Sequence, residues 1–148
     1  MPLSLEDKQA ITELTARYNH AIDHKLAEEW ADTFIESGSL RSDGRMLCQG
    51  RHARIDFVKK AEAAGLKSRH WVCNLLIDGE GDRARLRMYV LSIAFVNGID
   101  PYTMGEYDDT LVKVNGQWKF ETRTITHCAG KSFTAGGLKG VAAIPAQS

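Results

Sequence analysis

His70 stands in the run SRHWVCNLLI, a histidine among apolar and β-branched neighbours. An imidazole in such surroundings resists charging, which suits a neutral general base near pH 7; the same placement also fits a core histidine satisfied by hydrogen bonds. Asp23 closes the stretch RYNHAID. A carboxylate at a helix C-terminus is opposed by the helix dipole, so Asp23 is either a solvated surface acid or a buried group that needs a partner. His70 is the candidate partner. A carboxylate hydrogen-bonded to the imidazole would fix its tautomer and raise its basicity. Tyr18 lies five residues before Asp23, about 140° around an ideal helix, and on the apolar stripe. It either packs in the core or offers its phenol to a substrate carbonyl or departing hydroxyl. Arg123, in WKFETRTITH, shares strand parity with Lys119 and Glu121, so it is expected at the surface unless a bulge turns it inward.

Other chemistry finds less support. His20, Asp23 and His24 have the i, i+3, i+4 spacing of helical metal ligands, but no HExxH glutamate accompanies them. His127 and Cys128 are adjacent and would point to opposite faces of a strand. The reading therefore includes no metal and no cofactor. GxSxG, phosphate-loop and GxGxxG motifs are absent.

Lys plus Arg equals Asp plus Glu, 19 against 19, so no long-range field favours nucleic acid or an anionic membrane. Three cysteines without CxxC spacing argue against a disulfide framework and for a reducing compartment. The N-terminal MPLSLEDKQA has no apolar run of signal-peptide length, and no stretch is long enough to span a bilayer. These features make a cytoplasmic protein the expectation.

The elements that must position these side chains come in two blocks. Ser4 with Asp7 resembles a capping box, and Ile11, Leu14, Tyr18 and Ile22 recur at helical spacing, predicting a helix from residue 5 to about 23. Leu26, Trp30 and Phe34 continue at i, i+4 as a second short helix ending before Gly38. Asp43-Gly44 predicts a hairpin turn, and Ala53, Phe57, Val58 and Ala61 mark a third helix closed by Gly65. Four strands follow over 69–77, 82–97, 102–114 and 117–127, with Asn115-Gly116 as a type I′ turn. The stretch 128–148 is Gly/Ala-rich and reads as an irregular tail to a single domain covering 1–148. Helices followed by a meander of long strands indicate an α+β fold, with helices across the concave side of a strongly curved antiparallel or mixed sheet. The cavity between them is where a ligand belongs.

The ordering ITELTARYNHAID, a Trp and Phe pair, a helix, RHWVCNLLIDGEGDRARL and DDTLVKVNGQWKFETRTI resembles the SnoaL-like branch of the NTF2-like superfamily over residues 5 to 127. Within it the pattern is most similar to scytalone dehydratase, bile-acid 7α-dehydratase and hexachlorocyclohexane dehydrochlorinase. That resemblance implies a cone-like α+β barrel and cofactor-independent elimination from a small apolar cyclic or phenolic substrate. His70 would be the base, Asp23 its support, Tyr18 the donor to the leaving group and Arg123 a stabiliser of developing charge. Asn74, Tyr102, Trp30 and Met88 are expected to line the pocket, and a homo-oligomer, dimer or trimer, is expected. Two alternatives are an isomerase or polyketide cyclase using Asp23 itself as acid and base, and a non-catalytic subunit like the small subunit of ring-hydroxylating dioxygenases.

Overall fold

The computed structural model describes residues 1–95 and 102–128, without the side chains of Phe95 and Tyr102. The tail expected over 128–148 lies, from residue 129 on, outside the described residues.

Helix α1 (Leu5–Asp23) starts where the sequence places it. The Asp7 amide donates to Ser4 Oγ at 3.0 Å, and the Ser4 amide donates back to Asp7 Oδ2 at 3.3 Å, a closed capping box. The Asp7 carboxylate also receives Lys113 Nζ (2.6 Å) and Trp118 Nε1 (2.9 Å), which moors this end to the sheet. Ile11, Leu14, Tyr18 and Ile22 face the core. At the other end the Leu26 amide reaches Ala21 O and the Lys25 amide reaches Ile22 O, a Schellman-type stop with Lys25 left-handed at φ 59°.

Helix α2 spans only Ala27–Ala31. The expected continuation to Phe34 fails because the Phe120 amide takes the Thr33 carbonyl at 2.9 Å, drawing the chain into strand β1 (Phe34–Ser42). Asp43 and Gly44, at φ 48° and 80°, turn it into β2 (Arg45–Gln49) as the Asp-Gly signal predicts. Helix α3 (Arg51–Ala63) ends before Gly65 at φ 71°. Strands β3 (Lys67–Glu80), β4 (Arg83–Phe95), β5 (Tyr102–Val114) and β6 (Gln117–His127) complete the chain. The sheet runs β2-β1-β6-β5-β4-β3 and is antiparallel except for the parallel pair β1–β6. β2 and β3 end the order, so the sheet is open rather than closed into a barrel.

Three irregularities decide which side chains face the helices. In β6, Thr122 pairs with Thr110 but Phe120 pairs with Leu111, so Glu121 is an extra residue. Trp118 and Phe120 face the core before it, and Arg123, Ile125 and His127 take the inner face after it. In β3 a similar extra residue falls between Cys73 and Leu76, where Asn74 adopts φ 57°. In β1 the register jumps between Phe34 and Ser39, and Arg54 of α3, wholly buried, donates to the loosened carbonyls of Ile35, Glu36 and Gly38. That satisfies backbone oxygens the ladder leaves unpaired.

Candidate active site

The Asp23 carboxylate, at the last turn of α1, meets the start of β3. The His70 backbone amide donates to Asp23 Oδ2 at 2.9 Å, and His70 Nδ1 lies 2.6 Å from Oδ1. Ser68 Oγ donates to Oδ1 at 2.9 Å. Both partners of the pair are largely buried, with side-chain exposures of 16% for His70 and 7% for Asp23. Burial pushes the Asp23 carboxyl up, but the hydrogen bonds and positive character of His70, with Ser68, outweigh it and hold the group below the usual carboxylate range. An ionised Asp23 accepts, so Nδ1 carries the hydrogen and Nε2 is the ring atom left for chemistry. Lys25 folds back to donate to Ile22 O at 3.0 Å and lies 3.5 Å from Ser68 Oγ. Burial lowers its ammonium while the Asp23 carboxylate pulls it back up.

Deeper in the core is a second ionic centre. Arg123 is fully buried and pairs with Asp109 of β5 through Nε (3.1 Å to both oxygens) and Nη2 (2.7 Å). Its guanidinium lies 4.1 to 4.2 Å from the ring centroids of Tyr18, Tyr107 and Phe120, an aromatic cage for a cation. Burial raises Asp109 to about 6 against the pull of Arg123. Burial would lower Arg123, but the Asp109 charge overcomes it, so the guanidinium stays ionised. Tyr18 is raised by burial and keeps its phenol proton.

The surface position predicted for Arg123 is therefore corrected: the Glu121 bulge turns it inward. It meets Tyr18 and Asp109, and has no contact with Asp23 or His70 among the described residues. The 140° offset of Tyr18 is real, and it carries that ring away from Asp23 toward the cage. Trp30 is fully buried and packs on Tyr18 and Phe57. Met88 is buried on the inner face opposite Tyr107. Asn74, expected to line the pocket, is turned away from the face of His70: the β3 bulge leaves it exposed and gives Leu75 and Ile77 the half-buried positions. Tyr102 opens β5 opposite Ile93, and its side chain lies outside the described residues. His20 and His24 stack on one another, and no group of three or more metal-ligating side chains occurs among the described residues.

The model of the SnoaL-like domain matches residues 3–124. This chain belongs to the SnoaL-like family. No curated protein matches it. Among solved structures it is similar to a protein of unknown function from Mycobacterium tuberculosis, solved as an aspartate-to-asparagine variant. The identity there is 28%, over 84% of this chain and 76% of that one, with a TM-score of 0.75. It is also similar to a Novosphingobium aromaticivorans protein provisionally described as a scytalone dehydratase, at 28% identity over 83% and 85% of the two chains and a TM-score of 0.76. A Nostoc punctiforme protein of unknown function with a cystatin-like fold matches at 26% identity over 86% and 95%, with a TM-score of 0.73.

Sequence reasoning about this SnoaL-like chain misses Ser68, Asp109 and Lys25. Ser68 falls one residue before the strand predicted over 69–77, and the longer β3 brings it onto the face of His70. Asp109 and Tyr107 carry the same parity on β5, but only the strand order brings them to Arg123. Lys25 gives no signal, because a lysine in a left-handed C-terminal position is uncommon.

Proposed function

We propose that this SnoaL-like protein is a cofactor-independent lyase of dehydratase type, acting on a small apolar cyclic or phenolic molecule with His70 as general base. The observation that carries the reading is the two-point grip of Asp23 on His70, through ring and backbone of one residue, in a largely buried setting. Family membership supports it, since SnoaL-like proteins include polyketide cyclases and dehydratases.

In the proposed reaction His70 Nε2 takes a proton from the carbon beside a carbonyl. The electrons of that C–H bond form the new double bond and the C–O bond on the neighbouring carbon breaks. The departing hydroxyl leaves as water with the proton that His70 has taken up, assisted by the Tyr18 phenol. Asp23 steadies the transient imidazolium, and Arg123, caged behind Tyr18 and neutralised by Asp109, positions that phenol. The cyclase or isomerase alternative needs Asp23 itself as the base. Three hydrogen bonds already stabilise its ionised form and weaken its basicity, which favours His70.

The test is turnover of a hydroxylated cyclic ketone by His70→Ala and Asp23→Asn. A positioned general base is worth about 10²–10⁴ in rate, so both variants should keep a folded far-UV signature and lose activity on that scale. Undiminished turnover in either removes the dyad from the mechanism.

A further inference from the structure

The proposed reaction leaves the pair of His127 and Asp43 unused. His127 ends β6, and Asp43 sits in the β1–β2 turn. The His127 amide donates to Asp43 Oδ1 at 3.0 Å and its Nδ1 lies 2.6 Å from Oδ2. This repeats the two-point grip of Asp23 on His70, at nearly equal distances. The Asp43 amide donates to Ile125 O at 2.9 Å, fixing the turn against β6. The hydrogen bonds from the His127 amide and ring hold Asp43 ionised, below the usual carboxylate range.

His127 shares the inner face with Arg123 and Ile125, and its side chain is 10% exposed against 39% for Asp43. The ladder aligns it with Gly105, Val90 and Val72 in a row across the sheet. His70 is one inward step from Val72 along β3, in the next row with Ser92 and Thr103. Three strand spacings of about 4.8 Å separate β3 from β6, about 14 Å along the sheet. Between the two histidines the inner face is Val72, Val90 and Gly105, an apolar floor. Among the described residues neither Nε2 has a hydrogen-bond partner.

We propose that His127, held by Asp43, is a second polar post on the inner face, accepting a hydrogen bond at Nε2 from a substrate hydroxyl. The substrate is then a flat apolar body with a hydroxyl at the end remote from its reacting carbon. With Nδ1–H committed to Asp43, Nε2 accepts whenever the ring is neutral, and an acceptor there selects a hydroxyl over a carbonyl or an ether. This deepens the function proposed above and rests on substrate binding at the inner face, not on which reaction follows.

Histidine-labelled protein is titrated with biphenyl-4,4′-diol and with 4-phenylphenol, following the imidazole Cε1–Hε1 signals. In wild type the diol should move both His70 and His127 and bind about five- to tenfold tighter than the mono-ol, the worth of one hydrogen bond. In His127→Asn the amide nitrogen can keep the donation to Asp43 while the Nε2 acceptor is lost. That variant should retain the wild-type Tm and lose the preference for the diol. A His127 signal that stays still while His70 moves overturns this proposal and leaves the His70 site intact. So does His127→Asn that keeps the preference, which would make the pair a structural latch alone. If neither histidine responds to either probe, binding at the inner face is overturned and this proposal with it.

Discussion

Asp23 gains from ionisation what burial takes away. Its carboxyl is held below its ordinary value, so between that value and about 4 the unfolded chain binds a proton that the folded one does not. The stabilisation is present above about pH 4 and is lost as pH falls through the folded-state value. Asp7, Asp32, Asp43 and Asp108 are held low as well, so the acid limb of stability is a sum. Asp23→Asn should make that limb shallower in urea melts between pH 5 and 3, while the other four keep most of it. The Arg123–Asp109 pair behaves differently. With both groups wholly buried, removing one strands the other, at a cost of about 3–5 kcal/mol. Asp109→Leu alone should be that destabilising in urea unfolding, and adding Arg123→Met should recover much of the loss.

Among the elements, what was legible was local. The Ser4–Asp7 box, the Asp43-Gly44 and Asn115-Gly116 turns and the stop at Gly65 are each written in a few adjacent residues, and each is where the sequence placed it. Ser4→Ala should lower stability by about 1 kcal/mol. Asp7→Ala should cost more, since it also releases Lys113 and Trp118; thermal melts of the two variants give the order. What was not legible depends on register. A single extra residue, Glu121, inverts the facing of everything after it in β6, and a strand read by alternation alone has no sign of it. Asn74 was misplaced for the same reason on β3. The Asp23–His70 contact spans 47 residues; the need of a buried acid for a partner made His70 a candidate, and the family pattern joined the two. Second-row partners such as Asp109 needed the strand order itself.

At the scale of the molecule, one end of the sheet's outer side is apolar, beside a half that carries the Arg85–Asp108 and Arg87–Asp78 pairs. Trp71, Tyr89, Leu91 and Met104 are 37–54% exposed there, around a hollow of about 690 Å³ that Cys73 and Ile93 also line. A contiguous exposed apolar face of this kind marks an interaction surface. The proposed occupant is a second copy of the chain, in keeping with the homo-oligomer expected above. Trp71→Lys with Tyr89→Lys should convert an oligomer to a monomer in sedimentation velocity, with His70 and Asp23 on the opposite face untouched. A wild type that sediments as a monomer contradicts it. No described helix is long and apolar enough to cross a membrane.

The parallel pairing of β1 with β6 has a consequence for synthesis. β1 and β2 are complete by residue 49, yet the inner edge of β1 has no strand to receive it until residues 117–127 have been made. At 5–20 residues per second, roughly 4–16 s pass before β6 leaves the peptidyl-transferase centre, and longer before it clears the exit tunnel. Through that interval the edge of β1 that β6 will cover presents an open row of amides and carbonyls. A nascent chain stalled before β6 is therefore the form of this protein most exposed to wrong strand pairing.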